Sequence, residues 1–166
     1  TNKNNLKLTK MATFKVQFRI TNVRQRVGVI LYNITHNAEK TSVVTGINLP
    51  EKYWNKYKAS VVANNQTISY IDRIEADLLL LKLIDRRLSD KIQTYNVHEI
   101  SSRFNANNDE QGFLSYMCMQ ILKLMQFNKL GTANNYLHTL YSFMDFLDGY
   151  NIGIGCLTET DRKSVV

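Results

Sequence analysis

The chain has 166 residues, of which 44% are hydrophobic and one is proline, so it is long enough to bury a core and too apolar for a disordered protein. Its formal net charge of +7 is uneven, because residues 1–60 hold eleven Lys or Arg and two acids, whereas residues 61–166 hold ten basic and twelve acidic residues. This basic block predicts an anionic partner. Nucleic acid is favoured over membrane because the block contains no basic amphipathic helix.

Residues 1–10 are polar and lysine-bearing, and we predict a flexible lead-in. From residue 13 strict alternation predicts a half-buried strand whose apolar side carries Phe14, Val16, Phe18 and Ile20. A loop over 22–28 leads to a second predicted strand over 29–35, with Ile30, Tyr32 and Ile34 on one face. A turn over 36–39 and a third strand over 40–49, broken at Gly46, complete a three-stranded antiparallel sheet.

The other face of the predicted sheet is polar. It presents Lys15, Gln17, Arg19, Asn33, Thr35, Lys40 and Ser42. Because a small sheet needs a cover for its apolar face, we expect the segment over 49–54 to provide one, with Pro50 ending the third strand. Trp54 is predicted to join the core, and base stacking is its alternative role.

Residues 59–67 are predicted to be a polar connection. A long amphipathic helix follows, with an apolar stripe of Ile68, Ile71, Ile74, Leu78, Leu81, Ile84 and Leu88. Its remaining surface is predicted to carry Asp72, Arg73, Asp77, Lys82, Arg86 and Arg87. We expect this stripe to pack against the sheet or a later helix. The alternative is that it forms the interface of a dimer. Residues 94–110 are predicted to be a linker, most open over 105–110.

Two helices are predicted after this linker. The first spans about residues 109–128, with Phe113, Met117, Ile121, Leu124 and Met125 inward. Gly131 is predicted to stop the preceding turn and Thr132 to cap the second helix, which ends at Gly149. This helix carries Tyr136, Leu137, Leu140, Phe143, Met144 and Leu147. Thr158 is predicted to cap a further helix, so we expect the sequence to stop inside a larger protein.

The predicted fold class is therefore α+β, a small three-stranded antiparallel sheet with a packed helix, followed by a partial all-α domain. Its predicted parts are the lead-in (1–10), the sheet domain (11–60), the amphipathic helix with its linker (61–104) and the helical domain (105–166). No segment resembles a secretory signal or has the length of a membrane span, so we expect a soluble, cytoplasmic protein without a membrane partner.

Catalytic and metal-binding patterns are not indicated. His36, His98 and His138 fall in three different segments, and Cys118 and Cys156 form no CxxC pair. Cys118 is interpreted as a small apolar helix residue. The glycines over 153–155 are a weak turn signal rather than a phosphate loop. We expect no enzymatic activity, cofactor, metal or small-molecule substrate.

The polar face of the sheet suits a duplex groove, because a two- or three-stranded ribbon fits the major groove of DNA. Gln17, Arg19 and Asn33 are the candidates for base contacts, since amides pair with adenine edges and guanidinium with guanine edges. The candidates for phosphate contacts, which position the protein without reading sequence, are Lys15, Arg24, Arg26 and Lys40. Simple solvent exposure is the alternative for each of them.

A second candidate site is the predicted helix start at Thr132, because free backbone N–H groups at a helix N-terminus bind phosphate. Ordinary capping is the alternative role for Thr132, and a core position is the alternative for Tyr136. The candidates in this group are Lys129, Thr132, Asn134, Asn135, Tyr136 and His138.

Several segments, in this order, resemble the amino-terminal part of tyrosine site-specific recombinases, the phage-type integrases of Bacteroidetes-type mobile elements. Ala12-Thr13-Phe14-Lys15-Val16, Ile34-Thr35-His36-Asn37, Thr45-Gly46-Ile47 and the stretch over 50–55 are similar to the arm-type DNA-binding domain of that family. Gly131-Thr132-Ala133-Asn134-Asn135-Tyr136, followed by Leu140, Phe143 and Leu147, is similar to its SAM-like core-binding domain. Asn33 departs from the family, where many relatives carry a basic residue.

The resemblance implies that the sheet binds arm-type sites and that the helical part forms half of a clamp on core-site DNA, within a self-associating recombination complex. It also implies that a catalytic domain with a tyrosine nucleophile follows residue 166. Two other functions stay open. One is a stand-alone accessory DNA- or RNA-binding protein, and the other is a protein interaction module that uses the long helix.

Overall fold

The computed structural model describes residues 11–92, 94–107 and 112–146. Its strands are β1 (Thr13–Asn22), β2 (Val27–His36), β3 (Glu39–Pro50), β4 (Trp54–Asn55) and β5 (Ser60–Val61). A 3-10 turn (Glu51–Tyr53) joins β3 to β4. The helices of the described ranges are α1 (Ile68–Lys91), α2 (Val97–Asn107), α3 (Phe113–Gln126) and α4 (Leu130–Phe146). The predicted α+β class, with a three-stranded antiparallel sheet followed by helices, is confirmed.

The sheet has the order β1-β2-β3, with β2 in the centre. Ile30, Tyr32 and Ile34 of β2 are fully buried on one face, as the alternation predicts. The predicted turn between β2 and β3 is also confirmed, because His36 pairs with Glu39. The two residues between them, Asn37 and Ala38, both have positive φ, which is the geometry of the tight hairpin turn that matches strand twist.

Gly46 breaks β3 as predicted. Its φ is +75°, and the β2–β3 register shifts between Val29 and Leu31, so the chain bulges at this point. The Thr45 hydroxyl donates a hydrogen bond of 2.9 Å to the carbonyl of Ile30 and accepts one of 3.1 Å from the backbone N–H of Ile47. The Thr45 side chain therefore satisfies backbone groups that the bulge leaves without a partner in the neighbouring strand.

One end of the sheet departs from the prediction. Ile20, expected on the apolar side, is 43% exposed because the β1–β2 register shifts after it. Trp54 packs against the core as predicted, half-buried and stacked on Phe18 with ring centroids 5.8 Å apart. The expected polar connection over 59–67 is wrong at Ser60 and Val61, which pair with Asn55 and Trp54 in a small hairpin.

Helix α1 begins and ends close to its predicted bounds, but its charged residues are not all on the surface. Asp77 and Arg87, predicted to be exposed, are buried at 2% and 4% exposure. Asp77 accepts a hydrogen bond of 2.7 Å from the Tyr32 hydroxyl, and Arg87 pairs with Asp145 at 3.3 Å. Because elements pack on several sides of α1, its buried surface is wider than the predicted stripe.

The predicted linker over 94–110 is wrong for residues 97–107, which form α2. This helix packs against β2, β3 and α1, and Ile100 and Phe104 are fully buried. Residues 108–110 of the predicted linker lie outside the described residues. Buried residues of the sheet, α1, α2, α3 and α4 form one hydrophobic cluster. The division of the chain into domains stays a prediction.

The last two described helices differ in detail from their predictions. In α3, Leu114, Met117, Cys118 and Ile121 are buried, whereas Met125, predicted inward, is 38% exposed. Helix α4 begins at Leu130, so Gly131 does not stop a turn and Thr132 is not its cap. Tyr136 is 42% exposed, while Leu140 and Met144 are buried as predicted. The predictions for residues 1–10, Leu147, Gly149, Cys156 and Thr158 lie outside the described residues.

Gly28 has no room for a side chain. A Cβ there would lie 2.4 Å from the carbonyl oxygen of Arg19 and 2.5 Å from the ring of Phe18. We expect Gly28→Ala to destabilise the fold by about 2–3 kcal/mol, because strand backbone must move. Gly131→Ala is the matched control, since its Cβ meets nothing within 4 Å and it should stabilise α4 by up to about 1 kcal/mol. Urea unfolding of both variants measures the difference, and equal effects would contradict the packing at Gly28.

Candidate nucleic-acid interface

Five of the seven contact residues predicted for the sheet domain lie together on the outer face of the sheet, opposite the core. Lys15 of β1 pairs with Asn33 of β2, which pairs with Ser42 of β3, so these three residues form one row across the sheet. Thr35 and Lys40 form part of the next row. The odd-numbered residues of β1, which include Lys15, Gln17 and Arg19, are all exposed. The predicted grouping of these residues is therefore what the strand register produces.

A hydrogen-bonded chain of side chains crosses this face. The Asn33 amide donates to Oε1 of Gln17 at 2.7 Å, and the Ser42 hydroxyl donates to Oδ1 of Asn33 at 2.7 Å. Asn33 is half-buried and engaged on both sides, whereas Gln17 is exposed. The amide of Gln17 keeps its own N–H donors and one carbonyl lone pair for another partner. The arrangement fixes one exposed amide in a defined orientation.

The outer face is concave around these hydrogen-bonded side chains and has a cavity of about 550 Å³. Thr13, Lys15, Gln17, Asn33, Thr35, Lys40, Thr41 and Ser42 line it. Lys15, Arg19 and Lys40 form no ion pair with any acid in the described parts of the chain, so their charges are available to an anion. Thr13 and Thr41 were not among the sequence candidates, although period-two alternation puts Thr13 on the same face as Lys15.

The outer face also has an apolar part. Leu31 of the central strand pairs with Gln17 on one side and Val44 on the other. Leu31 is buried at 3% exposure, and Val44 is 56% exposed. The alternation that puts Ile30 and Tyr32 on the core side already puts Leu31 on the outer face, so the sequence contained this signal. The exposed Val44 methyl groups offer a contact of the kind that recognises a thymine methyl group.

The other predicted phosphate contacts lie at one end of the sheet, in the loop between β1 and β2. Arg24 is exposed, whereas Arg26 forms an ion pair with Glu51, with 2.8 Å between Nε and Oε2. Lys56 joins the same carboxylate at 2.7 Å. These hydrogen bonds from Arg26 and Lys56 lower the pKa of Glu51 to about 2, so the carboxylate is charged at neutral pH. Neither Glu51 nor Lys56 was among the sequence candidates.

The second group of candidates lies on α4, which packs against α3 rather than on the sheet. All six are exposed: Lys129, Thr132, Asn134, Asn135, Tyr136 and His138. The carbonyl of Lys129 accepts the first helical hydrogen bond, from Ala133 at 2.9 Å, so Lys129 rather than Thr132 is at the cap position. Thr132 lies in the first turn of α4, so its backbone N–H is among those for which the helix itself has no acceptor. The sheet group and the α4 group form two separate surfaces.

The three histidines and Cys118 lie in four different elements. His36 is buried in β2, while His98 and His138 are exposed on α2 and α4. Within the described ranges no three His, Cys, Asp or Glu side chains are grouped in a way that could hold a metal ion. Cys118 is buried in α3 as predicted, and burial, with a smaller effect of Asp77, raises the pKa of its thiol to about 12. A thiolate nucleophile is therefore disfavoured at this position.

None of the helices in the described part of the chain combines the length and apolar character needed to cross a bilayer. The chain was compared with models of protein families, with curated proteins and with solved structures, and none of the three comparisons gave a match.

Proposed function

We propose that this chain binds duplex DNA by placing the outer face of β1, β2 and β3 in the major groove. The observation that carries the proposal is the row Lys15–Asn33–Ser42, with Gln17, Arg19 and Lys40 on the same open face. Lys15 and Lys40 lie on the two edge strands, with the polar side chains between them, and this matches a groove whose walls are phosphate and whose floor is base edges. The excess of basic residues over residues 1–60 agrees with an anionic partner.

In this proposal the residues have different tasks. Gln17 and Arg19 are exposed and contact base edges. Asn33 orients the Gln17 amide, because its own amide is hydrogen bonded on both sides. Lys15, Arg24 and Lys40 contact phosphates, and Arg26 does so with the guanidinium nitrogens that Glu51 leaves free.

The resemblance of the sequence to tyrosine recombinases extends the proposal. The sheet would bind arm-type sites, and the exposed face of α4 would contact core-site DNA in a self-associating complex that integrates or recombines a mobile element. We propose that this stretch contains no strand-cleaving chemistry of its own and acts in the cytoplasm. The α4 contacts in this extension come from the backbone N–H groups of its first turn and from exposed side chains, which are Lys129, Thr132, Asn134, Asn135, Tyr136 and His138.

The rival interaction module depends on a free apolar stripe along α1. Ile74, Leu81, Ile84 and Leu88 of that stripe are buried within the chain itself, which leaves this rival little surface to use. An experiment distinguishes the other alternative, an RNA-binding protein, from the DNA-binding proposal. Titration of fluorescently labelled duplex DNA and duplex RNA of the same sequence, at several salt concentrations, should show tighter binding to DNA. Preference for the RNA duplex would refute the proposal.

Two substitutions on the outer face test the division of tasks. Arg19→Ala should weaken binding by about 1–3 kcal/mol at preferred sites and alter the base preference. Lys40→Ala should weaken binding evenly across sequences. It should also reduce the slope of log affinity against log salt concentration by about 1, because one phosphate contact is lost. Competition between randomised duplexes measures both effects. Lys123→Ala, on the exposed side of α3, is the matched control and should leave binding unchanged. Identical behaviour of the Arg19 and Lys40 variants would contradict the assignment.

A further inference from the structure

Two basic loops meet at the end of the sheet that carries Gly28. They are the loop between β1 and β2 (residues 23–26) and the loop between β4 and β5 (residues 56–59), here named the loop pair. Glu51 joins them, because one carboxylate oxygen lies 2.8 Å from Arg26 Nε and the other 2.7 Å from Lys56 Nζ. Its backbone N–H also donates to the carbonyl of Arg26 at 2.7 Å. The Glu51 side chain is 9% exposed, whereas those of Arg26 and Lys56 are 74% and 69% exposed.

The second loop holds an aromatic side chain fully in solvent. Tyr57 is completely exposed and lies between Lys56 and Lys58 in sequence. The backbone around it is ordered, because the Asn55 side-chain carbonyl accepts the N–H groups of Tyr57 and Lys58, both at 3.0 Å. The positive φ of Ala59 then returns the chain to β5. A large aromatic ring is thus presented to water by a defined turn, and a partner that covered the ring would gain the free energy of its burial.

An open cavity of about 850 Å³ lies beside this ring. Its lining combines cationic and aromatic side chains, which include Arg26, Lys52, Trp54, Lys56 and Tyr57. Among the described residues that line it, Glu51 is the one acid, and its charge is already compensated by Arg26 and Lys56. The remaining surface is therefore positive with two aromatic rings, and it lies around the end of the sheet rather than on the outer face.

We propose that the loop pair is a second nucleic-acid site, which binds an unpaired nucleotide segment of single-stranded DNA. Tyr57 stacks on an exposed base, and Lys52, Lys56 and Lys58 contact the adjoining phosphates. Aromatic rings interleaved with cations bind single strands in this way, because every unpaired base has a free π-face. Bases inside a duplex are covered by their neighbours, so a duplex uses the cations of this site and leaves Tyr57 without a partner. The loop over 23–26 is shared with the proposed duplex contacts, but Tyr57 and the three lysines of this site do not belong to the outer face, so single-strand binding does not depend on the function of that face.

A thymidine oligonucleotide of ~10 nucleotides tests this site, because it forms no duplex and spans a typical single-strand site. Trp54 is the only tryptophan and lines the cavity, so its fluorescence reports occupancy. We expect the oligonucleotide to quench this fluorescence in the full 166-residue chain. With three phosphate contacts, affinity should fall roughly 20-fold between about 50 and 200 mM salt. Absence of quenching at low salt would overturn the proposal.

Tyr57→Ala should weaken binding of the oligonucleotide by roughly tenfold, because it removes the stacking partner. The variant should fold normally, since the side chain is fully exposed, and thermal unfolding by circular dichroism checks this. Tyr116→Ala, which removes an exposed tyrosine of α3, is the matched control and should bind like the parent. An abasic strand of equal length should bind the parent and Tyr57→Ala alike. Equal affinity of Tyr57→Ala and the parent for the thymidine strand would overturn base stacking.

Arg19→Ala separates this site from the outer face. It should lose affinity for duplex DNA, because Arg19 belongs to the outer face, and keep its affinity for the thymidine strand. If the chain binds no duplex but the thymidine strand binds in a Tyr57-dependent way, the outer-face proposal fails and the loop-pair proposal stands. Equal weakening of single-strand binding by Arg19→Ala and Tyr57→Ala would place the single strand on the outer face and refute the loop pair as its site.

Discussion

Replacing Phe104 with alanine is expected to destabilise the fold by about 3–5 kcal/mol, because it leaves a large cavity beneath the sheet. Phe104 of α2 is fully buried, and its ring meets the Tyr32 ring edge-on with centroids 5.9 Å apart. A loss of this size lowers the Tm of a chain of this length by roughly 10 °C or more. Thermal unfolding by differential scanning calorimetry measures it.

Ser102→Ala is the control for the Phe104 variant, since it changes an exposed residue of the same helix. It should leave the free energy of unfolding within about 0.5 kcal/mol of the parent. If residues 97–107 were a solvated linker, both substitutions would have equally small effects. A small effect of Phe104→Ala would therefore contradict the packing of α2 against the sheet.

Replacing Asp77 with alanine is expected to cost about 2–4 kcal/mol, because it leaves the Tyr32 hydroxyl buried without its acceptor. The hydroxyl donates to Asp77 at 2.7 Å, and both residues are buried. Burial, and then the Asp77 carboxylate, raise the pKa of Tyr32 far above its usual range, so the hydroxyl remains the donor at any ordinary pH. Urea unfolding monitored by circular dichroism measures the loss.

A double-mutant cycle with Tyr32→Phe isolates this pair. The double variant should be more stable than the sum of the single losses predicts, with a coupling of about 1–3 kcal/mol, because no unsatisfied hydroxyl remains. Asp77→Asn keeps an acceptor oxygen and should lose less than Asp77→Ala. Strictly additive losses of unfolding free energy would show that the hydrogen bond between Asp77 and Tyr32 does not stabilise the contact of α1 with the sheet.

The candidate site could be predicted in part, because strand alternation is a local property. Lys15, Gln17 and Arg19 alternate with Phe14, Val16 and Phe18, and this pattern alone puts them on one face. The sequence could not give the whole row that joins Lys15 to Asn33 and Ser42, because the pairing of β1 with β2 depends on how the loop over 23–26 closes, and the turn over 36–39 sets only the pairing of β2 with β3. Glu51 went unnoticed for a similar reason, since its partners Arg26 and Lys56 lie in two loops, whereas the exposure of Tyr57 follows from the turn that Asn55 caps.

The sequence by itself determined the three strands, their antiparallel order and the extent of α1, because these follow from periodicity and from turn residues such as Asn37 and Gly46. Only the tertiary structure decided that residues 97–107 are a helix. This segment is polar in composition, and Val97, Ile100 and Phe104 acquire a buried face only when the sheet and α1 are present to cover them. The same reason explains Asp77 and Arg87, whose charged side chains are typical of a helix surface. They are buried because Tyr32 and Asp145 supply hydrogen-bonding or ionic partners there, which no sequence pattern along α1 contains.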